Sequence, residues 1–303
     1  MNMQMSSFVA VAVLLVALPA SASTLRDDCW LWGHETGQLD SPTNRWGLPV
    51  AKGYYHQAQA CRDFGVSNLC CIRWDKPSRA FRDSLRGLKR LTWPMSGHKK
   101  EVNSTYDALA DWNFAVADEM PNVTGFDLDD YFVARGPSVA VETSAGRRMV
   151  CPTRFPYAQL VELRRRLDAY PRRLELRVVV YDELLDQRKD PKDLVPVLEL
   201  VDSVTYWTWK AKNLPKLPEY FRRYRALAPG KRTYLGIYLW DFGGTHGEIS
   251  AEDMKYQLDF ALEKWKSREI DGVVFLATSI CNRDFTAVKM AHEWIEANGL
   301  CTR

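Results

Sequence analysis

Eight short runs of β-branched, aliphatic and aromatic residues, each followed by a stretch with helical periodicity, constrain this 303-residue chain more than any other feature. The strand-like runs fall at 29–35, 68–74, 89–96, 123–132, 174–181, 202–209, 232–240 and 270–278. Between them the helical pattern shows at 54–64, 81–88, 108–120, 156–167, 191–201, 218–227, 251–266 and 285–297. Ala108, Trp112, Ala115, Val116 and Met120 recur at helical spacing, and Pro121 stops that helix, while Pro156 suits the first position of another. Most strand runs are apolar on both faces, which marks parallel strands covered by helices on each side. That count and length predict a single-domain (β/α)8 barrel of the α/β class. An open doubly wound sheet is the alternative. It usually carries a Gly-rich phosphate loop after its first strand, and Gly33-His-Glu-Thr-Gly37 lacks the spacing.

The barrel is expected over residues 24–303. Residues 1–23 are expected to be a signal peptide: 8–18 is an apolar run too short to cross a bilayer, and Ala20-Ser-Ala22 supplies the small residues of a cleavage site. No Lys or Arg precedes that run. The mature protein is therefore expected to be secreted or periplasmic, with no membrane attachment once the signal is removed. Seven cysteines are present, an odd number, so at least one thiol stays free even where export permits disulfides. No Cys-x-x-Cys occurs, which argues against a structural zinc site. Lys and Arg number 41 against 38 Asp and Glu, and the basic residues are spread over helices such as Leu163-Arg-Arg-Arg166. Such a distribution gives no stripe for nucleic acid. Oligomeric state is left open.

In a barrel of this kind the chemistry lies at the C-terminal ends of the strands. The fourth run, Val123-Thr-Gly-Phe-Asp-Leu-Asp-Asp-Tyr-Phe132, ends in three acids. While the strand lasts, Asp127 and Asp129 share a face and Asp130 takes the other. Carboxylates on one face raise each other's pKa, an arrangement used in acid/base chemistry. The remaining ends bring His34 and Glu35, Trp74, His98, Asp182 and Glu183, Trp207, Trp209 and Lys210, then Tyr238, Trp240 and Asp241. Indole and phenol rings stack on the apolar faces of sugars, and paired carboxylates cleave glycosidic bonds. The expected activity is therefore hydrolysis of an oligo- or polysaccharide, without a cofactor or metal. Asp129 or Asp130 would be one catalytic carboxylate, with Asp182, Glu183 or Asp241 opposite and Asp127 tuning its neighbour. His34, Glu35, Trp74, His98, Tyr131, Trp207, Trp209, Tyr238 and Trp240 would line the sugar subsites. The competing use of the same acids is a metal-dependent hydrolase, three Asp joining His34 or His98 around a divalent cation.

The fourth run resembles the signature strand of family 18 chitinases, Asp-Gly-x-Asp-x-Asp-x-Glu, which ends on the catalytic acid. Gly125, Asp127 and Asp129 match its Gly and two later Asp, while Tyr131 stands at the Glu position and Asp130 one place before it. Val204-Thr-Tyr-Trp207 and Gly272-Val-Val-Phe275 are also similar to strands of that family. The resemblance implies a secreted barrel of the glycoside-hydrolase kind. The departure at Tyr131 raises a further alternative, a barrel that binds glycan without cleaving it.

Overall fold

A computed structural model describes residues 23–35, 46–50, 53–73, 77–95 and 106–303 of the chain. The proposed signal segment, Trp74 and His98 lie outside the described residues. Eight parallel strands close into a barrel: β1 (Cys29–Gly33), β2 (Asn68–Cys71), β3 (Arg90–Pro94), β4 (Val123–Leu128), then β7 (Glu175–Tyr181), β8 (Ser203–Trp207), β9 (Arg232–Tyr238) and β10 (Gly272–Leu276). The ring shuts where β1 pairs with β10, Cys29 opposite Val273 and Trp32 opposite Leu276. Between β4 and β7 the chain makes an antiparallel hairpin, β5 (Val139–Thr143) and β6 (Gly146–Val150). The sequence reading has only a long loop there. Five residues a side, exposed on much of their length, carry no buried stripe that would announce a strand.

Around the barrel lie α1 (Gln57–Asp63), α2 (Arg79–Ser84), α3 (Tyr106–Glu119), α4 (Tyr157–Asp168), α5 (Asp182–Gln187), α6 (Val195–Leu200), α7 (Leu217–Leu227), α8 (Ala251–Lys266) and α9 (Thr286–Asn298). Ser78 and Ser250 cap α2 and α8, accepting from the amides of Phe81 and Asp253 and so satisfying donors the first turn leaves unpaired. Outward strand residues meet this helical layer: Phe126 packs edge-on to Phe114 of α3, Tyr206 stacks on Tyr224 of α7, and Phe275 meets Trp294 of α9.

The inward residues are unusual for a packed barrel. Arg177 lies fully buried on the barrel axis, its guanidinium 4.5 Å from the Trp30 ring centroid and 3.8 Å from that of Tyr234. Above it, Trp32 and Trp207 meet edge to face at 5.8 Å. Gly236 makes room for this: a Cβ there would enter the Trp207 indole. All seven cysteines are unpaired and six are buried, so the thiols act as small core side chains. Burial pushes the Cys61 thiol up to about 12.

Candidate active site

The acidic strand stops four residues before the end of its sequence run. β4 ends at Leu128, and Asp130 takes a left-handed backbone conformation, φ 47°. Aspartate is one of the few side chains that tolerates this region, because its short polar group compensates locally. The bend turns Tyr131 inward instead of toward the mouth. There it is wholly buried, its ring 4.6 Å from that of Phe155 and its hydroxyl donating to the Phe155 carbonyl at 3.3 Å. Tyr131 therefore lines no subsite. Beyond it the two legs leading to the hairpin zip together, Val133 N donating to Pro152 O at 2.8 Å and Arg154 N to Tyr131 O at 2.9 Å.

That zipper returns Arg154 over the bend. Its guanidinium donates to the Asp130 carboxylate at 3.2 Å and to the Asp130 carbonyl oxygen. The Tyr181 hydroxyl, at the end of β7, donates to the other Asp130 oxygen at 2.9 Å. Asp130 is thus exposed yet oriented from two sides. Asp129 is half-buried beside it. Loss of solvent first, then the charges of Asp130 and Asp127, push its carboxyl well above the usual range, with Arg154 pulling the other way. Asp127 lies inside the barrel with no exposure. The Thr92 hydroxyl donates to one of its oxygens and Arg177 Nε stands 3.9 Å from the other. Burial raises its pKa from 3.8 to about 6, against the pull of Arg177 and Thr92.

Aromatic rings frame the pair. Tyr238 lies 4.8 Å from Trp207 and 5.4 Å from Trp209, and Trp209 lies 5.7 Å from Tyr181, centroid to centroid. Burial and the nearby Asp130 and Asp129 push the phenols of Tyr181 and Tyr238 well above their ordinary range, so both stay neutral donors. Trp209 is partly open, whereas Trp207 is 1% exposed and serves as the floor beneath Tyr238.

Several expected site residues are committed elsewhere. Asp182 opens α5 and is buried, accepting from Trp209 N at 3.0 Å and Asn213 Nδ2 at 2.7 Å. Asp241 is likewise buried, accepting from Ala211 N at 3.1 Å and from the amide and hydroxyl of Thr245 at 2.6 and 3.0 Å. Both tie loops to the rim and offer no free carboxylate opposite Asp129. Glu183 is held by an ion pair with Lys210. Glu35 is paired with Arg73 at 2.7 Å and accepts from the Tyr54 hydroxyl. Trp240 is buried on Phe285 and donates to the Trp46 carbonyl at 2.8 Å, which makes it loop packing. His34 is buried, its carbonyl accepting from Thr278. Among the described residues no three His, Cys, Asp or Glu side chains converge as a metal site, which removes the grouping of three Asp with His34. His98 lies outside the described residues.

Tyr181 and Arg154 are site residues that sequence reasoning missed. Tyr181 ends an apolar strand run, a position that carried a signal. Arg154 meets Asp130 across 24 residues of unassigned loop, and nothing local points to it.

No protein-family model matches the chain, and no curated protein sequence matches it. Solved structures do resemble its backbone. A family 18 chitinase from Pseudoalteromonas aurantia superposes with a TM-score of 0.53 at 12% identity, covering 88% of this chain and 99% of that one. The xylanase-α-amylase inhibitor protein XAIP-I, solved with trehalose, gives 0.52 at 11% over 92% and 100%. The spore cortex-lytic enzyme SleL of Bacillus megaterium gives 0.51 at 10% over 91% and 76%. At these identities the likeness establishes the barrel fold, with glycoside hydrolases among its neighbours.

Proposed function

We propose that this barrel is a carbohydrate-active hydrolase in which Asp129 is the proton donor to a glycosidic oxygen. The observation that carries the reading is the Asp129–Asp130 pair at the barrel mouth. One carboxyl is pushed toward its protonated form by burial and the neighbouring charges of Asp130 and Asp127, and the other is oriented by Tyr181 and Arg154. A donor must hold its proton at working pH, which a raised pKa provides. Asp130 would carry the negative charge that stabilises the positive sugar ring of the transition state, and Tyr181 and Tyr238 would hydrogen-bond sugar hydroxyls. Trp209 is the ring placed to stack on a sugar face. Secretion suits such a polymer substrate and belongs to the same proposal.

Release of reducing sugar from polysaccharides tests it. Asp129→Asn and Asp130→Asn should each lower kcat by about a hundredfold or more, as loss of an acid/base group does. Turnover undiminished in both variants removes the pair from catalysis. A second reading, glycan binding without cleavage, is favoured by one observation: Asp182, Glu183 and Asp241 are all engaged, so none of these three offers strand four a free carboxylate across the mouth. A barrel neighbour named as an inhibitor protein fits that reading. Saturable glycan binding with no product after long incubation would establish it.

A further inference from the structure

At the opposite, N-terminal end of the barrel lies a cavity of about 380 Å³ lined by Trp30, Arg90, Thr124, Arg173, Glu175 and Arg232. Three guanidinium groups face one carboxylate there. Glu175 is already saturated: Ser203 donates to one oxygen, Arg177 lies 3.5 Å from it, and Arg232 pairs with the other at 2.9 Å. Arg90 stacks over the Trp30 ring at 4.8 Å and donates to Asn68 at 3.0 Å and to the Asp27 carbonyl, with Asp28 3.8 Å away. Arg173 is the least committed, its side chain 82% exposed with Asp202 3.9 Å away. Trp30 is 1% exposed, and its ring forms an apolar wall of the cavity.

We propose that this cavity binds a tetrahedral oxyanion, phosphate or sulfate, free or as the ester of a small molecule. Arg173 and Arg232 would hold its oxygens through N–H donors, and Arg90 would add charge. Guanidinium forks match such oxygens in geometry as well as charge. The cavity exceeds the size of one inorganic ion, so it admits an ester with a small organic group. The acids nearby do not cancel the attraction: Glu175 is neutralised by two arginines, Asp27 pairs with Lys89 at 2.7 Å and Asp202 with Arg164 at 2.8 Å. A ligand that binds only the folded chain stabilises it, so occupancy should appear as a stability change as well as binding.

Isothermal titration of the whole protein with inorganic phosphate, sulfate and a hexose phosphate, at ionic strength fixed with chloride, tests the proposal. At least one should bind saturably and raise the thermal midpoint by about a few degrees. Arg173→Ala, at an exposed position that does not threaten folding, should weaken binding about tenfold or more. Preference for the hexose phosphate identifies an ester ligand, and equal binding of phosphate and hexose phosphate identifies the ion itself. Absence of saturable binding by all three overturns the site. So does equal affinity in wild type and Arg173→Ala, because a general salt effect on burial would not depend on that residue.

Discussion

Asp127 and Asp129 stand two residues apart and both hold protons more tightly than an ordinary aspartate, but with different consequences. Asp127 is sealed in the barrel, so its proton is a matter of stability. The folded chain keeps it up to about pH 6, whereas an unfolded chain releases it near 3.8. Between those values the native state binds more protons, and stability therefore falls as pH rises through the window. The loss amounts to about 3 kcal/mol for a two-unit shift. Asp127→Asn, which can still accept from Thr92, should flatten that dependence in urea unfolding measured from pH 4 to 6.5; an unchanged slope would clear Asp127 of the effect. Asp129 sits at the mouth, so under the proposed function its proton is a matter of chemistry. Arg154 is the cation that pulls its pKa down among the described residues. Arg154→Gln should therefore push the carboxyl higher still and move the alkaline limb of kcat/KM to higher pH. Because Asp130 loses a donor at the same time, kcat should fall about tenfold. A fall in kcat with an unmoved alkaline limb would leave Arg154 only the anchoring of Asp130.

The element that sets the site apart is the β5–β6 hairpin, whose legs carry Arg154 back to the strand-four bend. Its footing is a buried ion pair between Arg188 and Asp193 at 2.6 Å, joined by Ser138, which donates to Asp193 and accepts from Arg188. Asp193→Ala would leave the Arg188 cation buried without its partner, a change that costs about 3–5 kcal/mol. It should also open the hairpin to trypsin at Arg147 and Arg148. Less than 1 kcal/mol in urea unfolding, with unchanged cleavage, would show that the hairpin stands by itself. None of this is readable from the sequence, because Val139-Ala-Val-Glu-Thr143 is short and largely exposed, and the Arg188 and Asp193 that hold Ser138 beside it lie 50 and 55 positions away. The barrel strands are legible for the opposite reason: most are apolar on both faces, and that pattern has few other solutions. The same contrast runs through the site. Lying at a strand end brings Asp129, Asp130, Trp209 and Tyr238 to the mouth. It equally brings Asp182 and Asp241, whose acceptor oxygens meet backbone amides that no local pattern reveals. Where a strand ends is written in the residues beside it; which donors wait there depends on the rest of the ring.

At the scale of the whole molecule, a line of charge runs along the barrel axis from floor to mouth. Arg232 pairs with Glu175, Glu175 faces Arg177, Arg177 faces Asp127, and Asp127 lies within electrostatic reach of Asp129. A barrel interior is ordinarily filled by branched apolar residues, and burying ions there is costly unless each is compensated. Here the compensation is incomplete, since Arg177 Nε and Nη2 and one oxygen of Asp127 make no hydrogen bond, and cation–π contact with Trp30 and Tyr234 replaces part of it. Arg177 is consequently the hinge of the balance. Arg177→Met keeps roughly the volume but strips Glu175 and Asp127 of their shared cation, and should destabilise by about 3–5 kcal/mol. If electrostatics is the cause, adding Asp127→Asn to that variant removes one of the two stranded charges and should restore about 1–3 kcal/mol. Urea unfolding followed by tryptophan fluorescence measures both, because Trp30 and Trp207 report on the floor and the mouth. A double variant as unstable as the sum of the single changes would instead place the loss in the packing of Arg177 between its two rings, and the axial line would then be two unrelated pairs.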